Sequence, residues 1–207
     1  LFTFSASTEA AIQYSISLEH PEQHLFHVTM TIPDVKGEVT VQMAAWNALY
    51  QIRDFSAHVQ QVEAFAGQEK APIEKLDKQT WRIQGNGTVT VRYATYWDEV
   101  GPFATQLNGE HAFINPAMIL LYIQDRRPES VSLSVNELPV DWNVESAATI
   151  IRSFLGRTRA IVIQSPSYDT LADSPVEIGK FQEFDLPGVS PRVTVVVHGD
   201  KWRKKQI

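Results

Sequence analysis

Apolar residues in this chain recur at every second position. "AIQYSISL" sets Ile12, Tyr14, Ile16 and Leu18 on one face and Gln13, Ser15 and Ser17 on the other. "EVTVQM", "TVTVRYATYW" and "SVSLSV" repeat the pattern through Val39, Val41 and Met43, through Val89, Val91 and Tyr93, and through Val131, Leu133 and Val135. Successive side chains of a strand point to opposite faces, so each run reads as a half-buried strand of antiparallel sheet. "AIVIQ" (160–164) and "RVTVVVH" (192–198) are denser in β-branched residues, which predicts more deeply buried strands. Turn residues separate the runs at Pro33–Gly37, Pro102, Pro128 and Pro187–Gly188, and "QGNGT" around Gly85 and Gly87 reads as a hairpin. The expected fold is all-β, an antiparallel sandwich or saddle-like open sheet with one or two short helical turns.

Two segments depart from the alternation. In "RDFSAHVQQVEAF" (53–65), Phe55, Val59, Val62 and Phe65 sit at roughly helical spacing, consistent with a short helical turn running into a strand. "SPSYDTLADSPVEIG" (165–179) begins with one Ser-Pro pair, contains a second, and fits a loop with one short helix. The expected organisation is a frayed segment at 1–11, one β domain over 12–199, and at 200–207 the start of a link to a further domain. No stretch approaches the ~18 apolar residues of a membrane span. No intact signal peptide is visible in "LFTFSASTEA", and the compartment stays open between cytoplasm and periplasm.

Composition narrows the chemistry. With 18 basic and 24 acidic residues the net charge is -6, which disfavours nucleic acid as a partner. Cysteine is absent, so disulfides, thiolate metal sites and cysteine nucleophiles are excluded. "EHPEQHLFHV" places His20 and His24 at i, i+4, the spacing of a helical zinc site, but Pro21 lies between them and a strand pattern starts at Leu25. A polar loop entering a strand is the expectation there, and no metal ligand set is assigned. Neither H-E-x-x-H nor G-x-S-x-G occurs, and the glycines at 85 and 87 lack the following Lys-Ser/Thr of a phosphate loop.

Three stretches concentrate polar and aromatic groups. "MAAWNALYQIRDFSAHV" (43–59) holds Trp46, Tyr50, Arg53, Asp54 and Phe55, either as a core corner with an Arg–Asp pair at its rim or as an aromatic cleft wall. "LNGEHAFINPAMILLYI" (107–123) sets Asn108, Glu110, His111 and Asn115 just before a buried apolar run, with Asn115-Pro116 favouring a turn or bulge. "YDTLADSPVEIG" (168–179) clusters Asp169, Asp173 and Glu177, as helix caps or as paired carboxylates.

In this order the three stretches resemble the N-terminal domain of the glycyl aminopeptidase family of zinc metallopeptidases, of the thermolysin-like clan. The matching residues are Trp46, Tyr50, Ile52, Arg53, Asp54 and Phe55, and then Val91-Arg92-Tyr93. Asn108 with His111, Phe113 and Asn115 follows, and last comes Leu-x-Asp-Ser-Pro-x-Glu-x-Gly at Leu171, Asp173, Ser174, Pro175, Glu177 and Gly179. The resemblance covers residues 12 to about 199. It departs from the family where "NAL" stands between Trp46 and Tyr50 in place of a Pro-Gly-Ser turn, and where "GPFAT" follows Val100 in place of an Arg-Thr pair.

The resemblance implies a non-catalytic β domain that walls the substrate cleft and docks a C-terminal catalytic domain. Catalytic residues and a cofactor are expected in that second domain, with zinc as the metal, and none in this chain. His111, Asn115, Tyr50 and Arg53 become candidates for the cleft, and Asp173 and Glu177 for the domain interface. The implied partners are the protein's own catalytic domain and a peptide substrate. The competing expectation is a stand-alone β-sandwich module that binds peptide or glycan on an aromatic strip of Trp46, Tyr50, Trp81, Tyr93, Tyr96 and Trp97.

Overall fold

The computed structural model describes residues 11–46, 52–101, 104–155 and 158–199. In chain order the strands begin with β1 (Ile12–Ser17), β2 (Leu25–Val35), β3 (Glu38–Met43), β4 (Val59–Ala66), β5 (Glu69–Lys70) and β6 (Ile73–Lys75). They continue with β7 (Thr80–Gln84), β8 (Gly87–Tyr96), β9 (Gln106–Leu107), β10 (His111–Ile114), β11 (Leu121–Tyr122) and β12 (Val131–Leu138). The last are β13 (Asn143–Ser146), β14 (Ile150–Leu155), β15 (Thr158–Ser165), β16 (Val176–Gly179), β17 (Phe181–Asp185) and β18 (Thr194–His198). Two one-turn helices, α1 (Pro116–Ile119) and α2 (Tyr168–Ala172), interrupt them.

An eight-stranded sheet, ordered β14-β15-β12-β1-β2-β8-β4-β5, backs two four-stranded sheets, β11-β3-β7-β6 and β13-β16-β10-β9. The inward residues of all three join one buried cluster, as a sandwich requires. The alternating runs lie where their period placed them: Tyr14, Ile16, Val28, Met30, Val91, Val131 and Leu133 are buried from the large sheet, Val41 and Ile83 from one smaller sheet, and Ile114 and Ile178 from the other. The segment 53–65 is a single 3-10 turn, Phe55–His58, running directly into β4, as its mixed pattern suggested.

Three features differ from the sequence expectation. The glycines around Asn86 do not close a hairpin, because β7 and β8 belong to different sheets. They form a corner between layers, beside the corner at Gly37: the Gly85 N–H donates to the Gly37 carbonyl and the Gly37 N–H to the Asn86 side chain. Close approach needs glycine there, since a Cβ on Gly85 would lie 2.9 Å from Val89 Cγ2. The second difference is that β1 pairs with β12 in parallel, Ile12 opposite Val131, within an otherwise antiparallel sheet. The third is β18, which is only half-buried because it pairs with β17 alone in a two-stranded ribbon. Its β-branched density reports strand preference, and depth follows from how many layers cover it.

Polar anchoring of the core is concentrated at one point. Pro116 starts α1 after the extended Asn115, and the chain returns to an extended form at Leu120, so the turn ends with unpaired carbonyls. Three buried tyrosines supply the missing donors. Tyr93 Oη donates to the Ile119 carbonyl at 3.0 Å and accepts from the Leu121 N–H at 3.0 Å. Tyr168 donates to the Leu120 carbonyl at 3.0 Å, and Tyr14 to the Leu121 carbonyl at 2.8 Å. Burial pushes all three phenols well above their ordinary range.

Candidate functional site

The strand pair β10–β16 carries two of the three polar stretches. Asn108 and Gly109 turn the chain between β9 and β10, and the Asn108 Oδ1 accepts from the N–H groups of Glu110 (2.8 Å) and His111 (3.0 Å). This turn delivers His111 to the first position of β10, opposite Gly179 on β16, with Phe113 opposite Glu177. A Cβ at Gly179 would lie 2.7 Å from the His111 Cβ, so glycine makes the room for the imidazole. After Gly179 the chain turns at Lys180 and starts β17, whose Phe181 pairs with His198. That return places His198 back over Glu177.

The result is a cluster that links three strands. Glu177 Oε1 lies 2.9 Å from His111 Nδ1 and 3.0 Å from His198 Nε2. The two rings meet edge-on, with centroids 4.9 Å apart. His111 Nε2 lies 2.8 Å from Gln106 Oε1, and the Gln106 amide donates to Asp98 at 2.8 Å. The His111 and Glu177 side chains are 20% and 18% exposed, and that of His198 42%. Two shallow grooves meet at Glu177 and Phe113. One, about 270 Å³, runs past Val100, Gln106 and His111; the other, about 410 Å³, past Ser146, Arg192 and Thr194. A wider hollow of about 620 Å³ lies elsewhere, at His27, Gln61 and Arg92. It opens where β4 bulges from β8 between Gln60 and Glu63. That hollow also holds titratable groups, His27, Glu63 and Arg92, but the hydrogen-bonded cluster is at Glu177, and the site is assigned there.

The remaining candidates disperse. Asn115 sits at the start of α1 without capping it through its side chain, and its N–H donates to the Thr105 hydroxyl at 3.2 Å. Arg53 is exposed, and the expected Arg53–Asp54 pair is replaced: Ser56 and then Lys78 bond the Asp54 carboxylate and hold it below its usual range. Tyr50 lies outside the described residues. Asp173 is exposed at the end of α2. His24 is a polar anchor, its Nδ1–H donating to the Leu107 carbonyl at 2.6 Å, in line with the loop reading. The aromatic strip is not continuous, since Trp81, Tyr93 and Trp97 are buried while Trp46 and Tyr96 are exposed.

Sequence reasoning picked out His111 and Glu177 but missed His198, Gln106 and Asp98. The local signal for the first pair was a polar residue at a strand end with a glycine in the same motif. His198 carried none, because only the reversal between β17 and β18, over residues 186–193, brings it near.

Comparison with known proteins decides the family. The model of the Peptidase M61 N-terminal domain matches residues 13–180. The chain belongs to that family. This agrees with the resemblance read from its motifs. A search of curated protein sequences finds no match. Among solved structures, an aminopeptidase N family protein from Idiomarina loihiensis superposes with a TM-score of 0.84 at 23% identity, over 94% of this chain and 34% of that one. Aminopeptidase A from Legionella pneumophila, in complex with aspartic acid, superposes at 0.50 with 12% identity, over 86% of this chain and 22% of that one. A variant M1 zinc metallopeptidase from Deinococcus radiodurans gives 0.49 at 9% identity, over 88% and 45%. At 23% identity the likeness to the Idiomarina protein is one of fold. The M61 domain thus spans about a third of the length of the Idiomarina structure.

Proposed function

We infer that this M61 domain is the non-catalytic part of a zinc metallo-aminopeptidase, where it walls one side of the substrate cleft and docks the catalytic domain. Family membership supports the peptidase assignment. The observation that carries the cleft reading is the Glu177 carboxylate, part-exposed where two grooves meet. A fixed carboxylate beside an apolar ring, here Phe113, suits a peptide's terminal ammonium. Hydrogen bonds to that amine would fix which peptide bond reaches the reacting centre. His111 and His198 flank the carboxylate, and Asn115, Tyr50 and Arg53 are kept as further candidates for the wall. Asp173, exposed beside the same motif, is assigned to the domain interface.

Zinc and the general base belong to the second domain in this reading, since H-E-x-x-H is absent from these 207 residues. In the full-length enzyme, Glu177→Gln and Asn115→Ala are expected to lower kcat/KM for free-amine peptides. The loss for Glu177→Gln is about 10- to 100-fold, the worth of one charge-assisted hydrogen bond. Unchanged kcat/KM in both variants would remove this rim from the cleft.

A further inference from the structure

The hydrogen bonds around His111 determine which of its nitrogens carries a proton. Asp98 can only accept, so the Gln106 amide nitrogen faces it, at 2.8 Å. The Gln106 Oε1 therefore faces His111 Nε2, at 2.8 Å, and an amide oxygen can only accept as well. His111 Nε2 is thus the N–H. In the neutral ring this leaves the Nδ1 lone pair pointing at Glu177 Oε1 from 2.9 Å. Two lone pairs at that distance repel unless a cation stands between them. A second proton is one such cation, and a metal ion is the other.

We propose that His111 Nδ1, Glu177 and His198 Nε2 form a site for a divalent transition-metal ion, zinc in the first place. The three ligand atoms all lie within 4.8 Å of one another. Two imidazoles and one carboxylate are donors that zinc favours, with bonds of about 2.0–2.2 Å and tetrahedral ligand separations of roughly 3.4 Å. Reaching that geometry requires the two His–Glu separations, now 2.9 and 3.0 Å, to open by a few tenths of an ångström, and the two imidazole nitrogens, which lie within 4.8 Å of each other, to close toward the same spacing. His198 is the ligand free to yield, since it is the most exposed and ends a two-stranded ribbon.

The outer contacts fit as well. Metal-bound histidines commonly pass their other N–H to a carbonyl or carboxylate, which fixes ring and tautomer. His111 does so through Gln106 and then Asp98. The fourth position would face the groove beside Val100 and Phe113. This site goes against the sequence expectation that the chain holds no metal. It shares Glu177 with the cleft reading but does not rest on it, because zinc binding and His198→Ala are read without any peptide cleavage.

The test is calorimetric titration of zinc chloride into the 207-residue chain, with thermal melting and histidine nitrogen NMR alongside. One zinc per chain is expected, with a raised melting temperature. The His111 Nδ1 resonance should move while its Nε2–H is retained. His198→Ala and Glu177→Gln should each weaken binding by at least about ten-fold, whereas His20→Ala and magnesium in place of zinc should reproduce neither change. His198 is exposed, so its variant keeps the fold and carries the test even where Glu177→Gln unfolds. No zinc-dependent heat or melting shift up to millimolar zinc overturns the site. Full zinc affinity in the His198→Ala chain overturns it equally.

Discussion

Two polar clusters in this domain use similar atoms for opposite ends. At the Ile119–Leu121 junction, three tyrosine hydroxyls sit in a dry interior and every one is bonded to a backbone group. At the β10–β16 rim, two imidazoles crowd one carboxylate oxygen, half in water. The first cluster is closed, since its donors match the carbonyls that a one-turn helix leaves over. The second has more coordinating capacity than its protein partners consume. Buried polar groups that are fully paired hold a fold together, while under-occupied ones at a rim are available to a ligand.

The comparison can be broken most strongly by alkali. Burial raises the Tyr14, Tyr93 and Tyr168 phenols above their unfolded value near 10, so the folded state keeps protons that the unfolded state gives up. Their stabilising contribution is complete below about pH 10 and is lost as pH rises beyond it. With three such groups the loss approaches about 4 kcal/mol per pH unit. Urea unfolding between pH 9 and 11.5 reads this slope, and a flat profile would place the hydroxyls in contact with solvent.

Tyr93→Phe comes next. It strands the Ile119 carbonyl and the Leu121 N–H together, at a cost of about 2–4 kcal/mol, against about 1–2 for Tyr168→Phe, which strands one group. Equal losses in equilibrium unfolding would mean that water replaces the missing hydroxyl. A smaller effect than that of Tyr93→Phe belongs to the rim. Gly179→Ala forces a methyl against His111 and is expected to cost about 1–3 kcal/mol. In that variant the His111 ring should also leave Glu177, seen as loss of the His111–Glu177 coupling in NMR at fixed pH. A crystal structure with His111 unmoved would show that the strands part instead.

Strand positions and the buried face of each run were legible in the sequence, because a period of two has a direct meaning on a pleated backbone. Pairing was not. The Gly85–Gly87 stretch encodes a tight reversal, and a reversal within a sheet looks the same as a corner between sheets. The parallel partner of β1 lies more than a hundred positions away, beyond any local pattern. Depth was misread at β18 because the Val-rich run reports backbone preference, and only assembly decides how many layers cover it. The site divides in the same way. His111 and Glu177 stood in motifs with turn residues that explain them, whereas His198 reaches them through the chain reversal between β17 and β18, and Gln106 looks like an ordinary strand residue.

The parallel β1–β12 seam also sets an order of events during synthesis and folding. β1 can pair with β2 as soon as both have left the ribosome, but its other edge waits until residues 131–135 are made. For that interval the nascent sheet presents an open row of amides and carbonyls, the template on which strands of other chains add. The seam also closes a loop of more than a hundred residues, so the entropy of that closure is lost before its contacts form. The domain should therefore fold on the slow side for its size, in milliseconds to seconds, with β12 docking as the late step.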